Sequence, residues 1–303
     1  MLRELTEPFV RLTAAEASEL LKAHWGIDAT GLDRLDTERD DSFRVRGVGD
    51  RVLKVAHPLD DARLVGLQTS AMMHVACAGL PVQEVVVAAG GHTAVVIDGR
   101  IARVLTWLPG GLMRDAEYGL EAVTATGTSL ARVAAALADV ADPAAHRTFA
   151  WDLRSFASLE HPPALDPVFE RFAAVDLEAL PHQMIHNDFH PGNLLVDADD
   201  PNWITGILDF GDTLYAPRVQ DLGVALAYLL PEADDPAPVV AAFVEGYERV
   251  TPLLPAEHAA LLPLVAARLV QRIILPPLID PGAVDPPHVA RLTRTLANLT
   301  GRL

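Results

Sequence analysis

Lysine is nearly absent from this sequence. Of its 24 basic residues only two, Lys22 and Lys54, are lysines. Lys22 falls in SELLKAHWG, on what reads as an exposed helix face. Lys54 sits inside the apolar, strand-like run RVLKVA, where a chain that prefers arginine has no general reason to place one. Cysteine is scarcer still. With Cys77 alone, neither an internal disulfide nor a cysteine-built metal site can form, and its apolar flanks predict a buried structural thiol. Positive charge is in deficit as well: the net charge is −17. That balance excludes nucleic acid and anionic membrane surfaces as partners, obliges any anion site to bring its own cations, and suits a cationic small molecule. No uninterrupted apolar run approaches the roughly 20 residues that span a bilayer. Charges also stand too early in MLRELTEPFV for a secretory leader, so a cytoplasmic protein is expected.

What is present is ample for folding. Half of the 303 residues are apolar, and a chain this long exceeds the usual size of one core, which predicts two lobes. Thr13-Ala14-Ala15-Glu16 reads as a capping box opening a helix that ends near Gly26. Residues 42–46 and 51–56 flank Gly47-Val48-Gly49-Asp50 as a β-hairpin. Asp60 and Asp61 are placed to cap a helix over 62–78, and strands are expected at 84–88, 93–97 and 101–105. Leu108-Pro109-Gly110-Gly111 breaks this pattern and divides residues 1–107 from 108–303. Beyond it helices dominate, at 115–140, 151–160, 165–176, 218–229, 236–250, 255–275 and 287–299. A β-like island interrupts them at 194–196 and 203–208. A mostly β first third before a mostly helical remainder predicts a two-lobed α+β protein.

The island carries the chemistry. It runs His186-Asn187-Asp188-Phe189-His190-Pro191-Gly192-Asn193, then a strand, the turn-forming residues 197–202, a second strand, and Asp209-Phe210-Gly211-Asp212. In an antiparallel hairpin the residue entering the first strand lies beside the residue leaving the second. Asn193 and Asp209 stand equally far from Pro201 in the turn, so they are expected side by side at the open end, with Asp188 one loop away. An amide oxygen and a carboxylate set together form a hard-oxygen site suited to magnesium. Asp188 is then free to accept a proton from an attacking hydroxyl. His186, Asp188 and His190 also read as an H-x-D-x-H metal cluster of a hydrolase. That alternative needs further ligands in similar motifs and leaves Lys54 unexplained.

These motifs resemble the catalytic loop and metal-binding Asp-Phe-Gly of protein-kinase-like enzymes, with the same five-residue step from Asp188 to Asn193. His-Asn-Asp-Phe-His-Pro-Gly-Asn followed by Ile-Leu-Asp-Phe-Gly-Asp is closer to the aminoglycoside phosphotransferase and choline kinase branch than to protein kinases. The resemblance implies a bilobal kinase-like fold: a small, mostly antiparallel-β nucleotide-binding lobe and a larger, mainly helical one. It implies transfer of the γ-phosphoryl group of ATP, with Mg2+, to the hydroxyl of a small molecule. Asp188 becomes the catalytic residue, Asn193 and Asp209 the metal ligands, and Lys54 the phosphate contact. Ser42 and Phe43 fall in the phosphate-covering turn Glu38-Arg39-Asp40-Asp41-Ser42-Phe43, which has no glycine-rich fingerprint. The backbone of Thr106 and Leu108 would hold adenine, while His186 and Asp221 brace the catalytic loop. His190, Asp212, Trp151 and Asp152 are candidates for substrate contact, each with a structural alternative. That turn, the helix 67–74 and the hinge led by Arg103 resemble the hydroxylysine-kinase-like group. An amino alcohol or hydroxylated amino acid is therefore the expected acceptor, with aminoglycosides, homoserine and choline as alternatives.

One further absence matters. Residues 62–78 contain no Asp or Glu, where kinases carry the glutamate that pairs with the strand lysine. Gln68 is the expected stand-in, with Glu84 a weaker one. This gap by itself favours a non-catalytic nucleotide-binding protein on a kinase fold. Such a protein is marked by loss of Asp188, Asn193 or Asp209, and all three are present.

Overall fold

A computed structural model describes residues 7–35, 37, 40–47, 49–200, 203–280, 282 and 284–300. Glu38 and Arg39 of the expected phosphate-covering turn, Val48 of the first hairpin, and Pro201 and Asn202 of the second lie outside the described residues. The first third is built on a 6-stranded antiparallel sheet. Its strands are β1 (Gly31–Arg34), β2 (Asp41–Arg46), β3 (Arg51–Val55), β4 (Val85–Val86), β5 (Val95–Ile97) and β6 (Arg100–Thr106), ordered β1-β2-β3-β6-β4 with β5 also on β6. Side chains alternate faces along a strand, and the sequence uses this. Phe43, Val45, Leu53, Val55 and Val104 turn to one face, where α1 (Ala14–Trp25) covers them with Leu20 and Leu21. Thr13 and Glu16 cap α1 reciprocally, and Gly26 ends it in the left-handed region at φ 65°.

The opposite face carries Val52 and Leu105, covered by α2 (Ala62–Cys77) through Leu67, Ala71, Met72 and Val75. Lys54 shares that face, opposite Ser42 on β2 and Arg103 on β6. Cys77 departs from expectation: it is exposed. The helix presents residues 71, 72 and 75 to the core, and positions 73 and 77, four apart, project outward together, so Met73 is exposed too.

Beyond Thr106 the chain becomes helical: α3 (Leu120–Leu137), α4 (Asp166–Ala173), α5 (Val219–Leu229), α6 (Pro236–Glu248), α7 (Pro255–Ile279) and α8 (Pro286–Thr300). α3 and α6 cross at reciprocal glycines. A Cβ on Gly127 would lie 2.1 Å from the Phe243 carbonyl oxygen, and one on Gly246 2.0 Å from that of Thr124, so only glycine permits the contact. The expected helix at 151–160 is a 3-10 segment, Leu153–Ser158, capped by Asp152. α7 runs past its expected end, through Pro276 and Pro277. By length and composition α7 could cross a membrane, but 61% of the qualifying stretch is buried inside the protein, against α5 and α8.

Two small sheets position the island. β9 (Leu194–Val196) pairs with β10 (Ile204–Ile207) and with β7 (Gly111–Leu112), while β8 (His182–Ile185) pairs with β11 (Leu214–Pro217). Ile185 lies opposite Leu214, and Leu194 opposite Ile207. Loops 186–193 and 208–213 are therefore pinned side by side, each held at both ends. A bulge between Ile204 and Gly206 shifts the expected symmetry about Pro201. Asn193 consequently accepts at its carbonyl from Leu208 N–H (2.8 Å), with Asp209 one residue further on.

Candidate active site

The loop 186–193 is braced from behind. Asp221, fully buried on α5, accepts the main-chain N–H of His186 (3.0 Å) and of Asn187 (2.6 Å). Burial pushes its carboxyl up to about 7, opposed by those two N–H groups. His186 donates from Nε2 to the Leu208 carbonyl (3.1 Å) and accepts the Asp188 N–H at Nδ1 (3.2 Å). Both ring nitrogens are thus spent inside the protein, which closes the H-x-D-x-H metal reading. No group of three His, Cys, Asp or Glu suited to a metal exists among the described residues. Asn187 and Asp209 both adopt positive φ, 63° and 56°, a strain characteristic of functional turns.

Asp188 stands at the focus of this frame. Asn193 Nδ2 donates to its Oδ2 (2.7 Å), while Arg268 Nη2 and His190 Nε2 lie 3.3 and 3.4 Å from its Oδ1. Burial alone would raise this carboxyl. The field and hydrogen bond of His190, then the Arg268 and His186 fields, overcome burial and hold it well below the usual carboxylate range. Asn193 spends both amide hydrogens on Asp188, and its Oδ1 accepts no hydrogen bond among the described residues. Asp209 Oδ1 accepts the Gly211 N–H (2.9 Å), and its Oδ2 lies 3.4 Å from Lys54 Nζ. Lys54 first lowers the Asp209 pKa, against burial. One carboxylate and one amide oxygen, with further positions left to phosphate and water, fit a hard divalent cation.

Lys54 has a different partner from the one its sequence context suggests. Its ammonium lies 3.4 Å from Asp40 as well as from Asp209. Burial opposes the charge, but the two carboxylates outweigh it and raise the pKa. Both distances exceed those of tight charge-assisted bonds, so the ammonium is shared rather than locked. Gln68 does not meet Lys54: its Oε1 accepts from Arg103 Nη2 (2.7 Å), and Thr69 Oγ1 from Arg103 Nη1 (2.9 Å). Gln68 and Thr69 are thus spent on a buried arginine beside the lysine and not on the lysine itself. Glutamate's usual place is taken by Asp40, from the turn before β2.

Lys54, Asp40, Gln68, Asp188, Asp209 and Asp212 line one cavity of about 210 Å³, whose wall also includes Trp151, His190, Tyr228 and Arg268. Several expected contacts lie elsewhere. Ser42 and Phe43 are strand residues, buried to 1% exposure, and it is Thr37 and Asp40 that line the cavity. Thr106 has its N–H on the Glu84 carbonyl and its own carbonyl on Gln83 Nε2, which moves any adenine contact to the Leu108 end of the hinge. Asp152 is fully buried between Arg154 and Gln220 and is structural. Arg268 and Tyr228 went unread in the sequence. Arg268, 1% exposed, is one of two arginines, with Arg272, in the otherwise apolar run of α7. That mismatch was the available signal.

Most of the chain is similar to known proteins. The model of the phosphotransferase enzyme family matches residues 34–264. A hydroxylysine kinase of Mus musculus is 26% identical over 305 residues, covering 87% of this chain and 81% of that protein. A homoserine kinase of Afipia carboxidovorans is 29% identical over 233 residues, covering 71% and 70%. Among solved structures, an amicoumacin kinase in complex with AMP-PNP, Ca2+ and Ami superposes with TM-score 0.76 at 17% identity, over 96% of this chain and 94% of that one. A microcompartment-associated aminopropanol kinase superposes with TM-score 0.73 at 17% identity, over 94% and 95%.

Proposed function

The chain belongs to the phosphotransferase enzyme family, a kinase of small-molecule hydroxyl groups on the protein-kinase-like fold, and from that premise we propose that its acceptor is a cationic amino alcohol or hydroxylated amino acid. ATP is the donor and a divalent metal accompanies it; we assign that metal as Mg2+, held by Asn193 Oδ1 and Asp209. When bound, the metal neutralises charge on the phosphates. We assign residues 1–107 as the nucleotide lobe, residues 108–303 as the catalytic lobe, and the cytoplasm as the compartment.

Lys54 holds the phosphates, and the acceptor hydroxyl donates to Asp188. A carboxylate kept this acidic is a weak base, so it orients the hydroxyl and takes the proton late, as the new P–O bond forms. That suits the loose transition state of phosphoryl transfer. Most of the rate then comes from positioning and charge placement.

The observation that carries the acceptor class is Asp212. It shares the cavity with Asp188, and among the described residues no cation lies within ion-pairing distance of it. Burial and the Asp188 field push its carboxyl up to about 8. An ammonium group on the acceptor relieves both penalties. The test is ADP release from Mg-ATP with 5-hydroxylysine, ethanolamine, choline, homoserine and aminoglycosides. Asp188→Asn, expected to lose at least roughly 1,000-fold in turnover while still binding nucleotide, is the blank. Release that requires an amine on the acceptor and vanishes in the blank supports the reading. Equal turnover of uncharged alcohols overturns the cationic assignment.

A further inference from the structure

Tyr228 on α5 lines both the catalytic cavity and a second, larger cavity of about 790 Å³. His190 stacks on its ring at 4.1 Å and 8°, and the Arg272 guanidinium carbon lies 3.7 Å from the same ring centroid. Two groups so close to one ring cannot share a face, so His190 and Arg272 sandwich Tyr228. Arg272 therefore stands two stacking layers from the residue that touches Asp188. His190 and Tyr228 line both cavities, which makes them the passage between the two.

Arg272 has no carboxylate within ion-pairing distance among the described residues. One Nη donates to the Ala227 carbonyl and the other to His288 Nε2 (3.2 Å). Both acceptors are neutral, since burial and then the Arg272 and Arg291 charges hold His288 below its ordinary pKa. Two of the five guanidinium donors are spent, in a half-buried position where an uncompensated charge is costly. Glu232 lines the same cavity, but its carboxylate sits 3.7 Å from Arg291, and Asp285 faces His288. Arg114 and Glu117 also line the cavity, and Arg114 lies 3.9 Å from Asp115. The formal charges of the wall therefore balance, and what sets Arg272 apart is that it alone of the two cavity arginines has no carboxylate at ion-pairing distance among the described residues. Lys54, assigned to the phosphates, lines the other cavity.

Resting on the kinase reading and deepening it, we propose that Arg272 binds a carboxylate of the acceptor, so that the substrate is a long-chain hydroxylated amino acid. Its hydroxyl and neighbouring ammonium lie at Asp188 and Asp212, within one cavity. Its carboxylate lies beyond Tyr228, several methylenes away. An amino alcohol leaves Arg272 unanswered. Asp212 lines the first cavity and Arg272 the second, with Tyr228 in the wall of both, so a short amino acid, with ammonium and carboxylate on one carbon, is expected to bind less well than a long one.

The test compares each acid with its decarboxylated partner: 5-hydroxylysine against 1,5-diaminopentan-2-ol, and homoserine against 3-aminopropan-1-ol. In the unmodified enzyme kcat/KM is expected to favour 5-hydroxylysine over its partner by roughly 10- to 100-fold, the worth of one charge-assisted pair. Arg272→Gln should collapse that preference through KM rather than kcat, and Arg272→Lys should restore part of it. Nucleotide binding measured in parallel reports that each variant is folded. Equal kcat/KM for acid and amine, or a preference that survives Arg272→Gln, overturns the carboxylate site while leaving the kinase intact. Calorimetric titration of the same four compounds separates the opposite failure. Arg272-dependent binding of 5-hydroxylysine without turnover preserves the site and sinks the kinase reading of its hydroxyl, and failure of 5-hydroxylysine to bind overturns the proposal.

Discussion

Asn193 gives both of its amide hydrogens to Asp188, one to the main-chain carbonyl (3.0 Å) and one to carboxylate Oδ2 (2.7 Å). One side chain thereby sets the rotamer of the Asp188 carboxylate and, in the function proposed, offers its own oxygen to the metal. The two roles can be separated. Asn193→Asp keeps an oxygen for the metal but sets a second carboxylate against Asp188. Mg-ATP binding should persist while turnover falls by roughly 100-fold or more, since like charges raise the Asp188 pKa and spoil its orientation. Asn193→Ala should lose both. Nucleotide calorimetry alongside ADP release checks this, and a loss of binding in Asn193→Asp equal to that in Asn193→Ala would count against the divided role.

Asp209 is bound from both sides, by the Gly211 N–H and by Lys54. It is the one carboxylate of the metal site proposed above. Asp209→Ala should abolish the EDTA-sensitive part of ATP affinity and leave a weak, metal-independent remainder held by Lys54. Unchanged Mg-ATP affinity in calorimetry would remove Asp209 from the metal site.

Arg268 reaches Asp188 from α7 while donating to the Trp151 carbonyl (2.7 Å) and lying over the Trp151 ring at 4.8 Å. It is a positioning residue that also lowers the Asp188 pKa, after His190. Arg268→Gln retains a donor but removes the charge. Turnover should fall roughly 10- to 100-fold, and the acid limb of the pH–kcat/KM profile should move upward, because Asp188 then protonates more readily. Arg268→Lys should bring that limb part of the way back. A rate loss with no movement of the limb would reduce Arg268 to packing.

What the sequence made legible follows its physical periods. The strand face carrying Lys54 was readable because period-two alternation assigns Leu53 and Val55 to one side and Lys54 to the other. The catalytic island was readable because Asp188, Asn193 and Asp209 lie within 22 residues, along one hairpin. Partners brought from afar were not readable. Asp40 meets Lys54 only after the turn before β2 folds back, and Arg103 takes Gln68 through strand register. Arg268 arrives from α7 by helix packing, 80 positions after Asp188. Strands β8 and β11 were missed because HQMI and LYAP are short and mixed in polarity, yet their pairing is what pins the two catalytic loops together.

Asp212 provides a test that needs no substrate. Its carboxyl is pushed up to about 8 in the folded protein, first by burial and then by the Asp188 charge, against an ordinary value near 4 in the unfolded chain. Between those values the folded state keeps a proton that the unfolded state has released. The unfolded state then binds fewer protons, and stability falls as pH rises through the window. Asp221, raised to about 7, adds to the same slope. The melting temperature should therefore be higher at pH 5 than at pH 8. Asp212→Asn, which carries no charge at either pH, should shrink that difference by several degrees and melt higher than the unmodified protein at pH 8. Scanning calorimetry at the two pH values decides it. An equal fall in both proteins would mean that Asp212 is already ionised in the fold, and would remove the electrostatic reason for a cation beside it.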